Sequence, residues 1–226
     1  NPIHNADGSR VQVIALGASE GELRAYRAKR VIFAAPQFVA RHVIRPYRDE
    51  PPAHLGDFQY GSWLVANVHL NARPREADYP LSWDNVFYES PSLGYVVATH
   101  QRGLDHGSTI FTYYYPFCDD DPHPARAKLL AMDWRDCATV VLADLARAHP
   151  DIPPLVDRID VMRWGHAMIR PTPGFIWSAS RREAQQSFRS IHFANTDLSG
   201  MALFEEAFDH GLRAADEILE SSDTEA

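Results

Sequence analysis

Ile191-His192-Phe193-Ala194-Asn195-Thr196-Asp197-Leu198-Ser199-Gly200-Met201 is the stretch whose reading decides the fold. A short apolar strand delivers the Asp197 carboxylate to a turn, and Ser199-Gly200 then opens a helix that runs from near Met201 to near Leu219. Along it Ala207, Gly211 and Ala215 recur every four residues, which places small side chains on one face. An unpaired helix N-terminus offers free backbone N–H groups and partial positive charge, so strand, carboxylate and helix start in succession can hold a polar cofactor. The same composition also makes an ordinary N-cap, and on the turn alone the cap is the commoner outcome.

Outward from that turn, the whole chain has 226 residues, enough for one large domain or two small ones. With 45% hydrophobic and 23% charged residues it reads as an ordinary soluble globular protein. A net charge of −8 argues against nucleic acid or an anionic membrane as partner. Cys118 and Cys137 form no metal or redox spacing, so free thiols in a reducing, cytoplasmic compartment are expected. No apolar run approaches a membrane span and no signal-peptide pattern is present.

The chain begins at Asn1, and Asp7-Gly8 has the composition of a hairpin turn leading into Val11-Gln12-Val13-Ile14. Only Asn1 to His4 precede it, so the chain reads as part of a longer protein, cut inside a hairpin. Gly17-Ala18-Ser19-Glu20-Gly21 fits the G-x-S-x-G pattern of serine hydrolases, which needs a sharp strand-to-helix turn. The chain runs instead into the buried-strand pattern Val31-Ile32-Phe33-Ala34-Ala35, so the segment reads as a hairpin loop. Pro36 suits a helix start with Phe38, Val39 and Val43 on its apolar face, and Arg45 to His54, with three prolines, reads as a loop.

Tyr60 to Leu70 is a long strand, and Trp83 to Glu89, Gly94 to Thr99 and Thr109 to Phe117 are three more. Asn85, Tyr88, Tyr95, Tyr113, Tyr114 and Tyr115 give this sheet an aromatic character that serves cross-strand packing, a ring-lined substrate pocket, or both on opposite faces. Asp119-Asp120-Asp121-Pro122-His123 reads as a solvated acidic turn, because no second ligand group has metal-site spacing. Asp133 to Ala148 is a helix with Trp134, Cys137, Val141, Leu142 and Leu145 on one face. Ile159 to Trp164 is a strand, followed by the Pro171-Thr172-Pro173-Gly174 loop. The resulting order predicts an α+β fold: a mixed, largely antiparallel sheet with helices on one face, plus terminal β and βα pieces that belong to something else.

Three of these segments together resemble the C-terminal half of FAD-dependent amine oxidases and related flavin oxidoreductases. Tyr26 to Pro36 is similar to the family's A-x-x-V-I-x-A-x-P strand, and Trp164 with the Pro-Gly loop looks like its Trp-containing approach to the flavin. His192 to Ala215 is similar to its closing acidic turn and small-residue helix. The resemblance implies FAD as cofactor, with Asp197 bonding the ribityl–pyrophosphate region and Leu198, Ser199, Gly200, Met201 and Ala202 supplying backbone amides. It also implies Trp164 as a wall of the flavin pocket and Ala35 as a cofactor-binding residue. A helix beginning near Met201 would then stabilise negative charge on reduced flavin.

The resemblance further divides the chain: residues 1–36 as strands of an FAD-binding domain, 37–165 as a substrate-binding α+β domain, 166–220 as the return to the FAD-binding domain, and 221–226 as a disordered tail. None of the twelve glycines falls in G-x-G-x-x-G, so the nucleotide-binding Rossmann segment is the partner expected from elsewhere, and these residues alone should hold FAD poorly. Many amine oxidases carry a lysine in the strand resembling Tyr60 to Leu70, where the matching position here is Val65 or a neighbour; the chain's lysines are Lys29 and Lys128. The expected function is oxidation of a small organic substrate by hydride transfer to flavin. The alternative is a non-catalytic fold that binds a ligand or partner. No catalytic acid or base is assigned, although His69 and His166 have suitable chemistry.

Overall fold

The first 35 residues are built from short, alternating apolar segments, and they form two separate pieces of sheet. In a computed structural model, which describes residues 3–4, 10–17, 21–76, 80–118 and 121–223, β1 (Ile3–His4), β2 (Val11–Leu16) and β3 (Leu23–Ala28) make an antiparallel three-stranded sheet. The Asp7-Gly8 turn lies outside the described residues, but β1 supplies the strand that the hairpin needs. Leu16 pairs with Leu23 and Gly17 N–H donates to Glu22 O at 2.7 Å, so the Gly-Ser-Gly segment does join two hairpin strands. After β4 (Val31–Phe33) come two short helices, α1 (Gln37–Val43) and α2 (Arg45–Asp49). The second replaces the loop expected there: Pro46 sits in the first turn, where its missing N–H breaks no helical bond.

The central sheet has the strand order β6-β7-β8-β5-β9, from β5 (Tyr60–Leu70), β6 (Asp84–Asn85), β7 (Gly94–Val97), β8 (Thr109–Pro116) and β9 (Val156–Ile169). Its registered pairs are antiparallel. Leu64, Ala66, Val68 and Leu70 alternate into the core, together with Tyr95, Phe111 and Tyr113 from the neighbouring strands. Two helices close that face: α3 (Pro122–Ala131), through Ala125 and Leu129, and α4 (Trp134–Ala148), through Cys137, Val141 and Leu145. Asp133 caps α4 with a reciprocal capping box to Asp136. Trp134, expected on the buried face, is exposed, with its indole N–H bonded to Ile159 O at 3.2 Å. Asp121 ends the acidic run as the residue before α3, a helix that the sequence pattern does not announce.

The C-terminal part holds α5 (Ala179–Gln185), β10 (Ile191–Phe193) and α6 (Phe204–Asp223). β10 lies parallel and in register with β4, Ile191 opposite Val31 and Phe193 opposite Phe33. The chain forms two compact units, Asn1–Gln59 with Met168–Ala226, and Tyr60–Ala167. Residues 37–59 therefore belong with the terminal pieces and not with the sheet that follows them. Their packing gives the reason: Tyr47 stacks on Phe193 at 6.2 Å, and Ser180 Oγ donates to Asp57. Helix α6 continues through residues 221–223, and residues 224–226 lie outside the described residues. Among the described residues no helix is long and apolar enough to cross a membrane.

Candidate functional site

The closing turn is assembled where two parallel strands end together. Beyond β4 and β10, Ala194 N–H donates to Phe33 O at 3.0 Å and Asn195 Nδ2 donates to Ala34 O at 2.9 Å, locking the two strand ends side by side. Asn195 Oδ1 also accepts from Asp197 N–H at 3.1 Å, which starts the single 3-10 turn Thr196–Leu198. The Asp197 carboxylate then points at α1: its Oδ2 accepts from Gln37 N–H at 2.8 Å. Asp197 is only 3% exposed, so it acts as the N-terminal cap that Pro36 cannot supply. Gln37, 1% exposed, carries a side-chain Nε2 with no hydrogen-bond partner among the described residues.

Leu198 is fully buried and its carbonyl accepts from Arg181 at 2.9 Å and from Gln185 at 3.0 Å. Ser199 donates its hydroxyl to Glu206 and lies 2.8 Å from His210 Nε2. With the serine proton given to Glu206, His210 must donate from Nε2, and its Nδ1 is left to accept from Arg213 at 3.4 Å. The imidazole is thus neutral; burial, then the neighbouring Arg213 cation, holds its pKa below the usual histidine value. Gly200 adopts φ +73°, and a Cβ there would come within 3.0 Å of the Phe175 ring. No other residue type fits both demands.

The expected helix start is displaced. Met201, Ala202 and Leu203 are exposed and non-helical, and α6 begins at Phe204. The left-handed turn at Gly200 carries the chain outward before the helix can nucleate. Glu205 and Glu206 occupy its first turn, offsetting the positive helix end foreseen for an anionic group. Ala207, Gly211 and Ala215 do not form the buried face either. His210 and Ala214 do, while a Cβ on Gly211 would touch nothing within 4 Å. Ala35 is half-buried after β4.

In the other unit, the face of the central sheet away from α3 and α4 is open. It carries Val65 opposite Tyr114, Asn67 opposite Thr112 and His69 opposite Ile110, with Thr112 Oγ1 donating to Asn67 Oδ1 at 2.8 Å. On β9, Ile159 enters the core and Arg163 reaches back to the carbonyls of Leu130 and Met132, so Asp160, Met162 and Trp164 alternate to the open side. Asp160 there meets His69 Nε2 at 2.9 Å, and Arg158 lies within 3.1 Å of the same nitrogen. Trp164 is 49% exposed. Val65 lies on this open face, and Lys128 is on α3, over the Phe117 ring. The aromatic residues thus divide by face: Tyr95, Tyr113 and Phe111 pack in the core, while Tyr114 and Trp164 line the open side. No cluster of metal-ligating side chains occurs among the described residues.

Residues 3–219 match the family of flavin containing amine oxidoreductases, which is nearly the whole chain. The chain belongs to that family. Among solved structures, the chain is similar to cyclohexylamine oxidase from Brevibacterium oxydans IH-35A, with a TM-score of 0.64 and 15% identity over 96% of this chain and 47% of that one. A putrescine oxidase variant redesigned in cofactor binding gives a TM-score of 0.64 and 16% identity over 94% and 46%. Reduced UDP-galactopyranose mutase gives 0.58 and 16% over 96% and 45%. At such identities the likeness is one of fold. The chain spans just under half the length of these proteins. No curated protein sequence matches it.

The structure brings Asp197, Leu198, Ser199 and Gly200 into one bonded turn beside Ala35, and it places Trp164 in the separate sheet unit. Gln37, Asn195, Arg181 and Arg213 orient that turn, and sequence reasoning did not single them out. Asn195 alone carried a signal, as an Asx residue two positions before the bonded amide.

Proposed function

We propose that this chain provides the closing turn and the substrate-binding sheet of an FAD-dependent oxidoreductase acting on a small organic molecule, an amine or a related compound. The observation that carries the reading is the closing turn of this flavin-family member. Two in-register parallel strands end at a buried carboxylate, and Gln37, bonded to it, keeps a buried amide donor without a partner. A buried donor left unpaired costs about 1–3 kcal/mol, and a polar cofactor oxygen would remove that cost. Gln37 Nε2 and the backbone amides of Met201 and Ala202 would therefore hold a nucleotide cofactor, with Asp197 as an acceptor and Ala35 as an apolar wall; the Ser199 and Gly200 amides expected to join them already donate to Thr196 O and Asp197 O within the turn. FAD would supply the two-electron acceptor. The protein would orient the substrate on the open face through Tyr114 and Trp164, with Asn67 and His69 as hydrogen-bonding groups.

A nucleotide-binding segment with a G-x-G-x-x-G turn would complete the site. Its docking surface would include the exposed stripe of Phe204, Phe208, Leu212 and Leu219 along α6, where Phe204 is 78% exposed. The test is a titration of FAD followed by absorbance and by quenching of flavin fluorescence, with this chain alone and with the chain joined to such a segment. Tight binding is expected only in the joined protein, weakened about tenfold or more by Gln37→Leu. A joined, folded protein that takes up no FAD would overturn the proposal, as would ordered FAD held by this chain alone.

A further inference from the structure

A cleft of about 420 Å³ opens between β8, α3 and α4, on the side of the sheet opposite the open face. Its size lies within the range of small-molecule sites. The floor is aromatic: Tyr115 and Phe117 stack at 4.6 Å with 19° between their planes, and Met132 and Val140 extend the apolar wall. The charges at its edge are uneven. Asp144 lines the cleft, but its Oδ2 already accepts hydroxyl bonds from Ser90, Ser92 and Tyr113 at 2.7, 2.6 and 2.8 Å, and its Oδ1 accepts from Arg147 at 3.2 Å. Arg147 is further held by Glu89 O at 2.7 Å. Lys128 is different: its ammonium lies 5.8 Å from the Phe117 ring centroid and pairs with no carboxylate among the described residues.

We infer that this cleft binds a small organic carboxylate, with its apolar body on Tyr115 and Phe117 and its carboxylate at Lys128. An amine is disfavoured, because it would enter beside two cations while the nearby carboxylate is already saturated. A phosphate-like dianion is disfavoured as well, because it lacks a second unpaired cation and the lining asks for an apolar body. The site is independent of the flavin reading, lying on the other face of the sheet from Tyr114 and Trp164.

Isothermal titration with 3-phenylpropionate and with its uncharged counterpart 3-phenylpropan-1-ol tests the inference. The acid is expected to bind with a Kd below about 1 mM and the alcohol about tenfold more weakly. Lys128→Gln should abolish that preference. Ala143→Trp, at an exposed helix position on the cleft lip, should block both ligands without changing the circular dichroism spectrum. Equal affinity for acid and alcohol, no binding up to about 10 mM, or undiminished binding in folded Ala143→Trp would each overturn it. Should Ala143→Trp fail to fold, the Lys128→Gln comparison still decides, since Lys128 is an exposed side chain.

Discussion

Replacing Asp144 by alanine tests how the sheet unit is held together. This carboxylate on α4 is 8% exposed and ties the Ser90–Ser92 segment and the Tyr113 hydroxyl of β8 to the helix. Burial works to raise its pKa, but the bonds from Ser92, Ser90, Tyr113 and Arg147 outweigh burial and hold it below the usual carboxylate range. In Asp144→Ala the hydroxyls of Ser92 and Tyr113, both buried, lose their acceptor. Each orphaned hydroxyl costs about 1–3 kcal/mol, and relief of the buried charge returns part of this, so a net loss of about 2–4 kcal/mol is expected. For a protein of this size that lowers Tm by roughly 4–16 °C. Urea unfolding followed by tryptophan fluorescence reads it, because Trp63, Trp83, Trp134 and Trp164 all lie in this unit. The pH dependence carries a sign: the depressed carboxylate stabilises the fold above its unfolded pKa of about 3.9, and the contribution is lost as pH falls through the lower folded value. The variant should lack that acid limb. A variant within about 0.5 kcal/mol of the parent, or one with the same acid limb, would refute the reasoning.

Gly94→Ala should open the β6–β7 hairpin, because Gly94 has φ +89° and a Cβ there would lie 1.9 Å from Asn85 O; a loss above about 3 kcal/mol in thermal unfolding checks it. Gly200→Ala should cost about 2–3 kcal/mol through its left-handed backbone and the Phe175 ring, measured by urea midpoint at constant slope. Arg213→Met removes bonds to the carbonyls of Phe193 and Gln185 and to Glu217, and should release α6 from β10 at a cost of about 2 kcal/mol, seen as faster hydrogen exchange along residues 204–223. His210 and His149 both bind protons more weakly when folded, chiefly through burial. Stability should therefore be complete above the unfolded value of about 6.5 and fall as pH drops below it, a slope that Tm measured against pH will show and His149→Gln will lessen.

Several elements were legible because their pattern was local. The alternation in Tyr60–Leu70 and the face of Cys137, Val141 and Leu145 on α4 each follow from one period, and both appear in the structure. The hairpin at the Gly-Ser-Gly segment was legible for the same reason. Local pattern failed where a helix is short or weakly amphipathic. Helix α3 buries only Ala125 and Leu129, and α2 hides behind Pro46. The start of α6 falls three residues later than its composition implies, because the φ of Gly200 is not written in its neighbours.

By itself the sequence determined the fold class, the family motifs and Asp197 as the residue of interest, since each rests on short-range pattern. Only the tertiary structure decided what Asp197 does. Its carboxylate meets Gln37, 160 residues earlier in the chain, and that meeting depends on β4 and β10 lying parallel and in register. No period or spacing encodes such a contact, because it arises when two distant strands share one set of backbone hydrogen bonds. The same holds for the two faces of the sheet: the aromatic residues were visible as a composition, but burial by α3 and α4 decided which became core and which were left facing outward.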